Sequence, residues 1–172
     1  MVGKMIKSLE FFIADLNIPI FHELSIFLDH PLGLLIVTSL LIFSMTVLFK
    51  QKRTVMPIVL MSLLLTSIFT VGAKFVYLDE RPCISEKVEC TESYSFPSAH
   101  SAIGFSLLLP SLGTPAFWFY LIYALILAFS RLYLGVHTIL DVAGALGVAI
   151  IAYTISKFVI LKIEMVAHEI RI

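Results

Sequence analysis

Residues 54–73 read TVMPIVLMSLLLTSIFTVGA, a run with no charge that ends at Lys74. A helix that crosses a bilayer needs roughly 20 mostly apolar residues, and this run has that length. Residues 31–49 form a second uncharged run, closed by Lys50, Lys52 and Arg53. Residues 101–130 form a third, too long for one crossing and interrupted by Pro110, Gly113 and Pro115. Such breakers predict a hairpin of two helices, the first from about Pro97 to Leu112 and the second from about Thr114 to Leu134. Residues 138–156 carry one charge, Asp141, and give the last crossing.

The first 30 residues differ. Met5, Ile6, Leu9, Phe12, Ile13 and Leu16 recur at helical spacing, but Lys4, Lys7, Glu10 and Asp15 lie among them and Pro19 breaks the pattern. The reading is one or two helices lying in the membrane interface, with a sixth crossing as the alternative. The same charges leave no uninterrupted apolar core for a cleavable signal peptide. The expected architecture is therefore an all-α integral membrane protein. It is a single domain over residues 1–172, with an interfacial segment at 1–30 and five spanning helices in a core at 31–160.

Composition agrees. The chain is 59% hydrophobic and 14% charged, where a soluble domain is about 45–50% apolar and about 25% charged. One small core cannot hide that excess, so lipid is expected to cover the outside. Twelve basic and twelve acidic residues balance, and no basic face suggests nucleic acid. The basic cluster at residues 50–53 predicts a cytoplasmic loop, which places the polar segment 78–96 on the extracytoplasmic side of the cell membrane. Cys83 and Cys90 both lie in that segment. A disulfide and two free thiols are both open readings.

Charged groups at the ends of spanning helices are costly and usually functional. With these helices drawn, Lys74, Arg81, His100, Arg131, His137 and Asp141 all fall at the same outer face. Three cations suit a multiply charged anion, since guanidinium forks pair with phosphate oxygens and lysine adds a point charge. Ser98 stands just before a helix, where free N–H groups favour an anion. Two histidines beside such a site fit a nucleophile and an acid. Asp141 lies four residues after His137 and can hold its tautomer. No His, Cys or carboxylate cluster has metal-ligand spacing.

These residues stand in a pattern. KFVYLDERP at residues 74–82 gives Lys74, six residues, Arg81-Pro82; PSAH occupies 97–100; SRLYLGVHTILD at 130–141 gives Arg131, five residues, His137, three residues, Asp141. Together they resemble the three motifs of the type-2 phosphatidic acid phosphatase superfamily, with Ala99 where the second motif has Gly. The resemblance covers roughly residues 30–160 and is nearest in architecture to the short polyprenyl diphosphate phosphatases. It implies His137 as the nucleophile that becomes a phosphohistidine, Asp141 as its orienting carboxylate and His100 as the acid. It implies Lys74, Arg81, Ser98, Ala99 and Arg131 as the phosphate-binding set, and no metal or other cofactor. The implied substrate is a lipid phosphate within the membrane. A polyprenyl diphosphate cleaved to the monophosphate is favoured, with phosphatidate or phosphatidylglycerophosphate as alternatives. A lipid phosphotransferase using the same phosphohistidine is a second alternative, and a non-catalytic lipid-binding or transport protein a third.

Other residues are expected to serve the fold: His22, His30 and His168 by packing, Asp79 and Glu80 as a solvated loop face, and Tyr133 in packing. Gly135 is expected at the turn before His137, and Gly144 and Gly147 at close helix contacts.

Overall fold

A computed structural model describes residues 2–47 and 55–170. The basic cluster Lys50, Lys52 and Arg53 lies outside the described residues, as does Arg171. Every regular element among the described residues is helical: α1 Val2–Asp15, α2 Pro19–Asp29, α3 Pro31–Val47, α4 Val55–Tyr77, α5 Ala99–Leu108, α6 Phe117–Tyr133 and α7 Ile139–Glu169, with a 3-10 turn at Leu109–Ser111 after α5.

The breaks sit where local chemistry puts them. Pro19 opens α2, a position that needs no backbone N–H, and the axis bends by 101° between α1 and α2. Ser98 caps α5. Pro110 tightens the end of α5 into the 3-10 turn, and Gly113 follows with φ +77°. Thr138 and Asp141 form a capping box at the start of α7. One boundary differs from expectation: α7 continues past Ser156 to Glu169. Lys157, Lys162 and Glu164 mark the end of an apolar run, but none of them breaks a helix.

Among the described residues two helices are long and apolar enough to cross a membrane, α4 and α7, and the bent α1–α2 pair would make a third. Helices α3 and α6 are apolar but shorter, and α5 has only 10 residues. Helix α5 lies at the centre, packed on α4, α6 and α7, and α4 also packs along α7. Helix α3 is tied to α6 by Thr38 with Tyr123 at 2.9 Å and by the Tyr120 hydroxyl donating to the Leu41 carbonyl at 2.8 Å.

The bundle is inside out relative to a soluble protein. On α4 the small Ser62, Thr66 and Thr70 are buried, while Leu60, Leu64, Ile68, Val71 and Phe75 are exposed. On α7 the buried stripe is Ala145, Ala149, Ala152 and Ser156. Lipid offers no hydrophobic drive between helices, so close backbone approach through small residues replaces it. The expected glycines are not the ones that serve: nothing lies near Gly147, and Gly144 faces the ring of Phe96. Close helix contacts fall instead at Gly33, where a Cβ would run into the Phe27 carbonyl of α2, and at Gly104, where it would stand 3.0 Å from the Ala124 Cα of α6. This is the surface and interior of a membrane protein.

The outer loop between α4 and α5 is stapled. Cys83 and Cys90 form a disulfide with Cα atoms 5.9 Å apart. Inside that ring the Lys87 ammonium donates to the carbonyls of Ala14 at 2.7 Å, Leu16 at 2.6 Å and Tyr133 at 3.2 Å. The loop thereby joins the end of α1 to the end of α6.

Gly104→Val should force α5 and α6 apart and cost about 1–3 kcal/mol, the usual range for overpacking. Gly147→Val should change stability by no more than ~0.5 kcal/mol. Thermal unfolding of the two variants in one detergent checks the contrast, and equal losses would mean that α5 and α6 do not meet as described.

Candidate active site

The chemistry-bearing residues gather at one end of the bundle. Lys74, at the last turn of α4, donates from Nζ to the carbonyls of Tyr94 and, at 3.3 Å, Ser95. Arg81 reaches the same stretch of loop: its Nε donates to the Ser93 carbonyl at 3.0 Å and its Nη2 to the Ser93 hydroxyl at 2.7 Å. Burial lowers the Arg81 guanidinium from its ordinary value, and the positive charge of Arg131 lowers it further. Two guanidinium groups that feel each other's charge make an anion their natural partner.

His137 lies in the short turn between α6 and α7 and is buried. The chain reaches it through Gly135, whose φ is +69°. A Cβ at Gly135 would stand 2.8 Å from the Ser85 backbone nitrogen, so both conformation and space require glycine here. The turn is held from outside by Ile84 N–H to the Gly135 carbonyl at 3.0 Å and by the Ser85 hydroxyl to the Leu134 carbonyl at 2.8 Å.

One oxygen organises the His137 ring. Asp141 Oδ2 accepts from the Ser95 hydroxyl at 2.5 Å and from the Thr138 backbone N–H at 2.7 Å, and lies 3.3 Å from His137 Nδ1. Ser95 Oγ is itself 3.2 Å from Nδ1, but its proton is committed to the carboxylate. Both neighbours of Nδ1 are therefore acceptors, which assigns the proton to Nδ1 and leaves a lone pair on Nε2. Burial lowers the His137 imidazole from its ordinary 6.5 to about 4; the Asp141 bond opposes this, and the charges of Arg81 and Arg131 add to it. The ring is neutral at ordinary pH, as a nitrogen nucleophile must be.

Arg131, on the last turn of α6, is 1% exposed. Its Nη1 is paired with Asp29 Oδ1 at 2.7 Å, while Nε and Nη2 are buried with no hydrogen-bond partner. His100 Nε2 is also buried without a partner. Arg131, His137 and Asp29 are all within electrostatic range of His100. A cavity of about 580 Å³ opens beside Arg81, Asp29, Ser93 and His100. The open Nε–Nη2 edge of Arg131 suits two oxygens of a phosphate group.

The sequence-predicted residues divide accordingly. Lys74, Arg81, His100, Arg131, His137 and Asp141 come together. Ser98 is buried as the N-cap of α5, accepting from Ser101 N–H at 3.4 Å, and Ala99 opens that helix. Ser98 also joins the ends of α5 and α7, its N–H donating to the Asp141 carbonyl at 3.1 Å. His22 and Tyr133 pack together, with Phe21 against the Tyr133 ring. His168 and the loop carboxylates Asp79 and Glu80 are exposed. His30 is exposed but borders the cavity.

Three residues that sequence reasoning missed also belong here: Ser95, Asp29 and Glu10. Glu10, buried on α1, accepts from the Ile139 N–H at 2.8 Å and so caps α7 from a distance. For Asp29 and Glu10 the available signal was a charge inside a segment otherwise suited to the interface. Ser95 carried none.

Among the described residues no three His, Cys, Asp or Glu side chains group so as to hold a metal ion. None of the curated proteins matches the chain significantly. Among solved structures the fold is similar to that of LpxE from Aquifex aeolicus, with a TM-score of 0.70 and 24% identity over 88% of this chain and 94% of that one. Residues 54–163, more than half of the chain and including every predicted site residue, match the family model of the PAP2 superfamily, and the chain belongs to that superfamily.

Proposed function

We propose that this protein is a multi-pass lipid phosphatase of the cell membrane, working through a phosphohistidine at His137 without a metal. The observation that carries the reading is the buried pair of a neutral His137 ring and the Asp141 carboxylate, at the same end of the bundle as the unpartnered buried Arg131 Nε, Arg131 Nη2 and His100 Nε2. Membership of the PAP2 superfamily and the LpxE-like fold support it.

The steps follow from these groups. Arg131, Arg81 and Lys74 hold the phosphate oxygens, with the α5 N-terminus at Ser98 and Ala99 adding its dipole. The His137 Nε2 lone pair forms a bond to phosphorus as the bond to the leaving oxygen breaks. Asp141 stabilises the cationic ring through Nδ1. His100, protonated from solvent through the cavity, gives its proton to the leaving oxygen. Water then attacks the phosphorus, the P–N bond breaks, and the water proton passes to His100. Inorganic phosphate leaves, and the enzyme is unchanged. Donors fixed in advance around the developing charge are usually the largest catalytic term.

The substrate we favour is a polyprenyl diphosphate, cleaved to the monophosphate. In support, the outer loop is stapled by the Cys83–Cys90 disulfide, and among the described residues no other sizeable loop is available to grip a large head group. Five spanning helices, α3 to α7, would place the site at the extracytoplasmic face. The exposed apolar surfaces of α3 and α6 support that count, with Leu35, Leu40, Phe43, Trp118, Ile122 and Leu125 all outward.

Purified protein should release phosphate fastest from long-chain diphosphates in a panel that includes phosphatidate and phosphatidylglycerophosphate. Vanadate should inhibit, a chelator should not, and His137→Ala should lower the rate by at least about 10³-fold. Preference for phosphatidate would overturn the substrate assignment, and an active His137→Ala protein would overturn the mechanism.

The depressed His137 value also fixes a pH dependence. Between about pH 6.5 and 4 the folded protein binds fewer protons at this ring than the unfolded chain does. The stability contributed by the neutral ring is therefore present above 6.5 and lost as pH falls toward 4. Unfolding of wild type and His137→Asn from pH 7.5 to 4.5 should show the wild-type margin narrowing downward. A constant margin would mean that the ring is not buried neutral.

In intact cells treated with a reductant, a membrane-impermeant maleimide should label Cys83 and Cys90. Labelling only after the membrane is opened would put the site on the other face.

A further inference from the structure

Asp29 is the last residue of α2. A carboxylate there faces the negative end of the helix dipole, an unfavourable place unless a cation answers it. The answering cation is Arg131, 102 residues away in sequence, through the 2.7 Å contact from Nη1 to Asp29 Oδ1. That contact uses one corner of the guanidinium. The opposite edge, Nε and Nη2, is the buried and unpartnered one, and it is the edge that takes two oxygens of a phosphate in parallel.

The same residue reaches the other side of the site. His100 lies within electrostatic reach of Asp29, and its Nε2 is buried without a partner. Asp29 also borders the cavity together with Arg81 and His100. Its side chain is 39% exposed, against 1% for Arg131. The carboxylate thus stands between solvent and the buried guanidinium.

We propose that Asp29, which lies outside the segment that matches the family, is a positioning residue of this site. Its carboxylate turns the Nε–Nη2 edge of Arg131 toward the phosphate. The α1–α2 segment is then part of the active site and not only an interfacial anchor. The opposite role for the carboxylate, a competitor that phosphate must displace from Arg131, is disfavoured by the geometry. Asp29 occupies Nη1 and leaves the bidentate edge open.

This inference rests on the phosphatase reading for its kinetic arm only, and orthovanadate serves as the anion probe for the rest. In the full-length protein, Asp29→Asn should lower kcat by about 10- to 100-fold, the effect of a misplaced catalytic group. It should weaken vanadate binding about tenfold, with the unfolding midpoint tracked as a control for folding. Asp29→Glu should recover part of the loss. In an Arg131→Ala background, Asp29→Asn should weaken vanadate little further, because the carboxylate acts through the guanidinium.

The proposal is overturned if Asp29→Asn stays within about twofold of wild type in both readouts, or if the two substitutions are additive. Tighter vanadate binding by Asp29→Asn would overturn it in favour of the competitor. Should wild type release no phosphate from any lipid yet bind vanadate in an Asp29-dependent way, the phosphatase reading falls and the positioning role stands. Should wild type be active and Asp29→Asn indistinguishable from it, the reverse holds.

Discussion

A single carboxylate oxygen, Asp141 Oδ2, holds the functional end of this protein together. It accepts from the outer loop through Ser95, closes the first turn of α7 through the Thr138 N–H, and sets the His137 ring. Hydrogen bonds to a charged group are each worth about 1.5–3 kcal/mol net, and the N-terminus of a helix is where a negative charge is favoured. The interaction that starts the longest helix is therefore also the one that fixes the tautomer of the proposed nucleophile. Losing the carboxylate would leave a serine hydroxyl, a backbone N–H and a ring nitrogen without their common acceptor.

The charges around it are tolerable because the bundle confines them to one end. Farther down, α4 and α7 turn mostly small side chains inward, with Ile58 and Val59 the larger exceptions, and most of their large apolar residues face out. A helix core of this kind gives rigidity through close backbone contact rather than through a thick layer of buried hydrocarbon. The cost of burying a guanidinium is offset locally by Asp29 and, in the functional reading, by phosphate.

Much of this could be read from the chain, and the rest could not for identifiable reasons. Helix α4, the hairpin break at Pro110 to Pro115 and the start of α7 follow from apolar runs and breakers. The convergence of Lys74, Arg81, His100, Arg131, His137 and Asp141 follows once those helices are drawn. The end of α7 is not legible because loss of apolar character ends a membrane run but does not end a helix. Asp29 and Glu10 were invisible as site residues: each acts on a partner more than 100 residues away, Arg131 and the Ile139 N–H, with no local spacing to announce it. Ser95 is one serine in a serine-rich loop, and its position between His137 and Asp141 depends on how that loop folds back. Gly104, which matters for helix contact, has nothing in its neighbourhood to separate it from Gly147.

The contact between Glu10 and Ile139 carries a consequence for how the molecule comes into being. They are 129 residues apart, and Ile18 with Tyr133 and Asp29 with Arg131 span 115 and 102. A segment made well before residue 139 supplies the acceptor for the first turn of α7. Until residue 139 has emerged, α1 has no α7 to cap, and His137 and Asp141 do not yet exist as a pair. Such distant closures are slow steps in folding. They make the arrangement all-or-none: a nascent or truncated chain can lodge its early helices in the bilayer, but the ring of contacts around His137 can close only when both halves of the chain are present.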